Sequence, residues 1–152
     1  MILDERLEFA DAADIALAVG NAIMPNSDVI DLGATPTLRN LGAGEPMYLV
    51  LQVDTVFGDT AAAGTGYVTI DLVSDSVAAL TTSKTTHWTS GAKIVGTWVA
   101  GYTLAIPLPD EVTYERYLGL WMTVGTTNII SGKLNAFLTH DVSKFTAYPN
   151  AI

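Results

Sequence analysis

After Gly33 the dominant signal is a period of two in the apolar side chains, and this alternation constrains the fold more than any other feature of the sequence. Successive side chains of a strand point to opposite faces, so the pattern is typical of strands that bury one face. It predicts strands over Pro46–Phe57, Tyr67–Val73, Ile94–Trp98, Tyr102–Leu108, Thr113–Val124 and Ile130–Thr139.

The remaining segments carry weaker patterns. Val29–Leu32 is short and strand-like, and the Thr- and Ser-rich run Thr81–Ser90 is a loop or an edge strand. Leu3, Leu7 and Phe9 begin either an edge strand or a helix, and we favour the strand. The segment Asp141–Ile152 reads as irregular.

About six to eight strands without βαβ alternation favour an antiparallel β-sandwich, and the jelly roll is the common eight-stranded form. No linker or shift in composition divides the chain, so we expect one domain over residues 1–152. Irregular arms are predicted over about 1–28 and 141–152. The fold class is therefore all-β.

The charge balance limits the partners of the chain. Sixteen acidic residues against seven basic ones give a net charge of −9. Binding to nucleic acid needs clustered Lys and Arg, which are absent, so we expect no nucleic-acid partner. Charged residues make up only 15% of the chain and apolar residues 49%. This low charge predicts that a partner covers part of the surface.

No segment reaches the roughly 18 consecutive apolar residues of a membrane span, and the N-terminus begins with acidic residues where a signal peptide would be basic. We therefore expect a soluble protein made and used in the cytoplasm, with no membrane partner.

Candidates for catalysis are few. The chain has no cysteine, and His87 and His140 stand apart in the sequence, so both read as surface or turn histidines. The acidic pairs Asp4-Glu5 and Asp110-Glu111 are adjacent residues that point to opposite faces of a strand, which does not suit paired acid–base work. No Gly-x-Ser-x-Gly elbow is present. We expect no enzyme activity, no cofactor and no metal.

The aromatic residues allow two interpretations. On a β-sandwich they form either a core and a protein interface, or a platform on which sugars stack. Tyr102 shares its face with Leu104 and Ile106, which suits the core. Tyr117 and Trp121 lie on the more polar face of their strand, which suits an interface. The set weighed in this way is Trp88, Trp98, Trp121, Tyr102, Tyr114 and Tyr117.

Read end to end, the chain resembles the capsid cement (decoration) proteins of the Bordetella-phage type, which occur in many short-tailed phages and prophages. Short segments in the expected order carry the resemblance. They are Met1-Ile2-Leu3-Asp4, Val29-Ile30-Asp31-Leu32-Gly33, Gly42-Ala43-Gly44-Glu45-Pro46-Met47-Tyr48, Ile106-Pro107-Leu108-Pro109, Arg116-Tyr117-Leu118-Gly119-Leu120 and Gly132-Lys133-Leu134-Asn135-Ala136-Phe137-Leu138.

The resemblance implies a jelly-roll subunit on the outer surface of a tailed-phage capsid, where it stabilises neighbouring major capsid protein subunits. It also implies self-association, as a homodimer first and a homotrimer second, and it offers no catalytic residue. The alternative is a glycan- or receptor-binding β-sandwich of a phage tail or a secreted protein. The candidate protein-interface residues are Leu3, Leu7, Phe9, Tyr117, Trp121, Phe145 and Tyr148.

Overall fold

The computed structural model describes residues 5–34, 41, 46–61, 64–109 and 112–142. These residues form β-strands and short 3-10 turns, and no α-helix is among them. The elements in chain order are a 3-10 turn (Glu5–Leu7), β1 (Glu8–Asp14), β2 (Gly20–Ile23), β3 (Ile30–Asp31), β4 (Tyr48–Asp59), β5 (Tyr67–Asp75), β6 (Thr85–Thr89), β7 (Lys93–Ile94), a 3-10 turn (Val95–Thr97), β8 (Thr103–Pro107), β9 (Tyr117–Gly125) and β10 (Ile129–Thr139).

The strands form two antiparallel sheets. The four-stranded sheet has the order β1-β10-β4-β8, and the six-stranded sheet has the order β2-β9-β5-β6, with β3 beside β9 and β7 beside β5. Without the two-residue strands β3 and β7, the pairs are nested: β1 pairs with β10, β2 with β9, β4 with β8, and β5 with β6. This nesting is the jelly-roll topology. The predicted antiparallel sandwich is confirmed.

The core fills the space between the inner faces of the sheets, because each central strand turns alternate residues inward. Trp98 lies in it without exposed surface and stacks on Phe57, with ring centroids 5.3 Å apart. Burial of each large apolar side chain contributes about 1.5–3 kcal/mol. The inward rows are Val68, Ile70 and Leu72 on β5, Leu118, Leu120, Met122 and Val124 on β9, Leu49, Leu51 and Val53 on β4, and Leu134, Ala136 and Leu138 on β10.

The predicted irregular arm over 1–28 is wrong for the residues that form β1 and β2. These strands are edge strands of the two sheets, and Phe9 on β1 lies in the core with no exposed surface. The pairing of β1 with β10 contains register shifts, and Ala12 has a φ of 43°. The edge strand favoured at Leu3, Leu7 and Phe9 is confirmed at Phe9 by β1, but such bulges break the period of two, so the pattern does not give the extent of the strand. Of the predicted C-terminal arm, residues 143–152 lie outside the described residues.

The strand predicted over Ile94–Trp98 is also wrong for most of its length. Only Lys93 and Ile94 pair with β5, and a 3-10 turn follows. The Val95 N–H bonds to the Gly66 carbonyl, and the Trp98 N–H bonds back to the Val95 carbonyl, which carries the Trp98 ring into the core. The strand predicted from Thr113 begins only at Tyr117. The alternative of an edge strand within Thr81–Ser90 is confirmed by β6.

The position of Phe9 generates a stability prediction. Phe9→Ala removes a fully buried ring and leaves a cavity, so we expect the free energy of unfolding to fall by about 3–5 kcal/mol. Val19→Ala, at an exposed site, should change it by less than about 0.5 kcal/mol. Urea unfolding of the free protein measures both. Equal, small effects would place the Phe9 ring outside the core.

Candidate protein-interaction surface

Tyr117 and Trp121 lie on the outer face of β9, where they belong to a second, smaller hydrophobic cluster. Val73, Leu80 and Trp121 are its buried members, and Ile23, Val29 and Tyr117 pack against them while remaining partly exposed. The cluster is separate from the main core because its members on β5 and β9 are odd-numbered residues, whereas the inward rows of these strands are even-numbered. Alternate residues of a strand point to opposite faces of the sheet. The predicted aromatic pair is therefore brought together on one face.

The connection between β5 and β6, residues 76–84, folds back over this cluster. Leu80 has no exposed surface, and it reaches the sheet because Gly119 has no side chain: a Cβ there would lie 2.6 Å from Leu80 Cδ1. The ammonium of Lys84 lies 4.2 Å from the centroid of the Trp121 ring, a cation–π contact. Trp121 is consequently only 8% exposed. Trp121, a predicted interface residue, is thus largely covered by the connection between β5 and β6.

A buried carboxylate holds the connection in place. Asp75, at the end of β5, has no exposed surface and accepts backbone N–H bonds from Thr82 at 2.9 Å, Ser83 at 3.2 Å and Val77 at 3.3 Å, and the Ser76 hydroxyl at 3.2 Å. Burial raises the pKa of Asp75, but these hydrogen bonds outweigh it and hold the pKa below its usual 3.8. Asp75 is therefore ionised at neutral pH and stabilises the connection.

Tyr117 keeps accessible surface, and a charged pair flanks it. Arg116 lies over its ring, 4.9 Å from the centroid. The Arg116 guanidinium donates to both carboxylate oxygens of Asp31, at 3.0 Å and 2.8 Å, which raises the pKa of Arg116. Because the pair is exposed, it orients side chains more than it stabilises the fold. Tyr117 and its ion pair thus form a small patch open to a partner.

The other predicted interface residues do not extend this patch. Leu7 is partly buried against the main core, and Phe9 is inside it, so Phe9 is corrected from an interface residue to a core residue. Leu3, Phe145 and Tyr148 lie outside the described residues.

The tryptophans present no open sugar platform. Trp98 is fully buried, Trp121 is covered as described above, and Trp88 is partly buried against the main core. Tyr102 also packs against that core, with its ring edge-on to Trp98 at 5.8 Å, as its parity predicts. Tyr114 is buried, and its hydroxyl donates to the Pro109 carbonyl. Of the six aromatic residues weighed for glycan stacking, Trp98, Trp121 and Tyr114 are therefore buried, and Trp88, Tyr102 and Tyr117 keep partial exposure.

A serine and a histidine that are distant from each other in the sequence meet near the end of β5. Ser74 Oγ lies 2.7 Å from His87 Nε2 and accepts the Glu115 backbone N–H at 3.1 Å. Which of Ser74 Oγ and His87 Nε2 donates depends on the tautomer of the histidine, because a serine oxygen can accept a second hydrogen bond. Ser74 has no exposed surface, so no substrate can reach it as a nucleophile. The arrangement joins β5, β6 and the segment that leads into β9.

The expectation that His87 is a surface or turn histidine is wrong. Its ring is half-buried on β6 and packs against Tyr114, with centroids 4.5 Å apart. Burial lowers the pKa of His87 and the Glu115 carboxylate raises it, with a net lowering from 6.5. His140 is exposed, and its Nδ1 lies 3.2 Å from the Pro46 carbonyl oxygen. Within the described ranges, no three His, Cys, Asp or Glu side chains converge on a metal site.

Sequence reasoning missed most of the exposed apolar surface. The Phe57 N–H bonds to the Trp98 carbonyl, and the exposed Val56 and Val99 are each next in sequence to one residue of this contact. Such residues are isolated in the sequence. Across the described part of the chain, the exposed large apolar residues are Val19, Val56, Tyr67, Val77, Ile94, Val99, Val112 and Ile130.

The nested strand order and the single main core define the class as a jelly-roll β-sandwich protein. Among the described residues, no helix is long and apolar enough to cross a membrane. The sequence model of the Bbp16 family matches residues 12–138, so the chain belongs to the Bbp16 family. The name of that family indicates a Bordetella phage protein, in agreement with a phage-type protein. A search of curated proteins gave no match.

The Asp75 carboxylate generates a second stability prediction. Asp75→Asn replaces an oxygen acceptor by an NH2 group that faces backbone N–H donors, so the free energy of unfolding should fall by about 1–3 kcal/mol. The contribution of Asp75 is present above the usual pKa of 3.8 and is lost as the pH falls through the lowered folded-state pKa. Chemical unfolding at neutral pH measures the change. Asp54→Asn, at an exposed aspartate, is the control, and an equal effect there would contradict the role of Asp75.

His87 generates a pH prediction. Its pKa is lowered in the folded state, so the unfolded chain protonates first, and stability should decrease as the pH falls below 6.5 until it passes the folded-state pKa. Protonation makes Nε2 a donor that Ser74 Oγ can accept, so the expected loss comes from charging a half-buried ring. Urea unfolding between about pH 8 and about pH 5 measures this loss. We expect His87→Gln to reduce the loss and His140→Gln to retain it; the same pH dependence in His87→Gln as in the original protein would refute the assignment.

Proposed function

We propose that this protein is a structural virion protein that binds the outer surface of a tailed-phage capsid and cements neighbouring major capsid protein subunits. The observation that carries the proposal is the match to the Bbp16 family over most of the chain, together with the jelly-roll fold. A subunit of this kind needs a rigid scaffold and a broad contact surface.

The burial of the polar side chains supports a role without enzymatic activity, cofactor or metal. Ser74 Oγ, which contacts His87, is fully buried, so this contact is suited to joining strands. The Asp75 carboxylate likewise accepts hydrogen bonds from backbone N–H groups of the connection that follows it. These groups stabilise the subunit and leave it free to act through shape and surface contacts.

The charge of the subunit supports the outer surface of the shell as its place. With a net charge of −9, the subunit is repelled by packaged nucleic acid, so neither nucleic acid nor a membrane is a proposed partner. The proposed partners are the major capsid protein and a second copy of the chain, with a homodimer favoured over a homotrimer. Many modest interfaces around a shell stabilise it by mass action.

Binding to cement-free shells tests the proposal. Purified protein should co-sediment with expanded shells, saturate at a fixed occupancy, and raise the temperature at which the shells rupture, because it binds the assembled state. The same preparation should give no signal on a glycan array. If the protein binds glycans and does not bind shells, the proposed cement function is wrong and the receptor-binding alternative is favoured.

Deletion variants locate the contact residues that lie outside the described range. Removal of residues 1–4 deletes Leu3, and removal of residues 143–152 deletes Phe145 and Tyr148, while both leave β1 and β10 intact. We expect either deletion to lower shell affinity by about tenfold with little change in the melting temperature of the free protein. If both variants occupy shells as fully as the original protein, these three residues are not part of the interface. The proposal that the protein binds shells would still stand.

A further inference from the structure

Within the described part of the chain, β8 is the last strand of its sheet, and the backbone groups along its outer side face away from the sheet. The Val53 N–H bonds to the Tyr102 carbonyl, and the Leu108 N–H bonds to the Met47 carbonyl. Because inward and outward bonding alternates along an antiparallel strand, the backbone groups of Thr103, Ala105 and Pro107 point away from β4. All three residues are exposed, and among the described residues β4 alone pairs with β8.

This edge lies in one of the two longest uncharged segments of the chain. No charged side chain occurs from Ile94 to Pro109, although the subunit carries a net charge of −9. The outward side chains of β8 are small, which permits a close approach. Val99, whose carbonyl accepts the Tyr102 N–H just before the strand, is a further exposed apolar residue. Charged side chains often prevent an exposed strand edge from pairing with another chain, and β8 has none.

The other sheet edges of the described chain carry charges. Strand β1 bears the exposed Asp11 and Asp14. The edge formed by β2 and β3 ends at the Asp31–Arg116 pair. Strand β6 follows Lys84, and Glu115 accepts a bond from its Thr85 hydroxyl. The edge of β8 is therefore where two acidic subunits can meet without like charges in contact, which matters because exposed charges repel over about 8–10 Å.

We propose that β8 pairs antiparallel with β8 of a second copy, joining the two four-stranded sheets into one continuous sheet. The inference rests on the self-association included in the proposed function. Two identical antiparallel edges satisfy each other across a two-fold axis, so this contact closes as a dimer and excludes a trimer. With Ala105 at the axis, the N–H groups of Thr103 and Ala105 find carbonyl partners in the other copy. Pro107 contributes only its carbonyl, because it has no N–H.

Charge substitution tests the pairing. Ala105→Lys places like charges opposite each other at the axis, and the side chain is exposed, so the monomer should fold normally. Sedimentation velocity over a range of concentrations should show a dimer for the original protein and a dimer dissociation constant raised by at least about tenfold for Ala105→Lys. Thr86→Lys, at an exposed site on the edge strand β6, is the matched control and should stay dimeric.

A cysteine cross-link provides an independent test, since the chain has no cysteine of its own. Opposed residues in a hydrogen-bonded antiparallel pair have Cα atoms about 5.5 Å apart, which a disulfide can span. Under mild oxidation Ala105→Cys should give a covalent dimer in high yield and Thr86→Cys should not. A dimer that Ala105→Lys leaves intact, or that cross-links through Thr86→Cys alone, would overturn the β8 assignment.

Shell binding separates this inference from the proposed function. If the original protein is monomeric yet occupies shells, the β8 pairing is wrong and the cement function stands. If the original protein is monomeric and Ala105→Lys binds fewer sites on the shell, the β8 edge pairs with a strand of the shell. A second copy of the chain then does not bind this edge. If the β8 dimer forms but ignores shells, the inference stands and the cement function fails.

Discussion

The apolar rows of β5 and β9 pack against those of β4 and β10, and this contact between the two inner sheet faces is the interaction that the rest of the structure requires. The chain has no disulfide, and its described residues hold no metal cluster, so burial of these rows is the main source of stability. The first and last strands, β1 and β10, pair with each other beside this core.

The central strands could be predicted because their signal is local. Each of β4, β5, β9 and β10 alternates apolar and polar residues over most of its length, and a period of two needs no knowledge of the partner strand. Strand β1 lacks this advantage. Its register shifts and the positive φ of Ala12 make sense only against β10, more than a hundred residues away. For the same reason Phe9 is read as terminal in the sequence, although its ring is central in the fold.

The candidate interface was less predictable than the fold, because exposure depends on what folds over a strand. Parity correctly places Trp121 on the outer face of β9, but parity carries no information about the connection that covers it. That cover depends on an aspartate at the end of another strand, on Leu80, and on the absence of a side chain at Gly119. His87 similarly gains its role only when β6 lies beside β5. Chemistry that depends on such distant pairs has no local signature.

Short polar contacts fix the connections between the strands, and this has a consequence for binding. Asp59 accepts bonds from the Gly66 N–H at 2.7 Å and the Thr127 hydroxyl at 3.1 Å, which ties two connections together. Asp75 does the same within its own connection, and Asp31 joins β3 to the start of β9. Surfaces held in this way lose little conformational entropy on association. Modest interfaces can then become effective when a shell presents many equivalent sites, since each contact adds to the stability of the assembled state without reshaping the subunit.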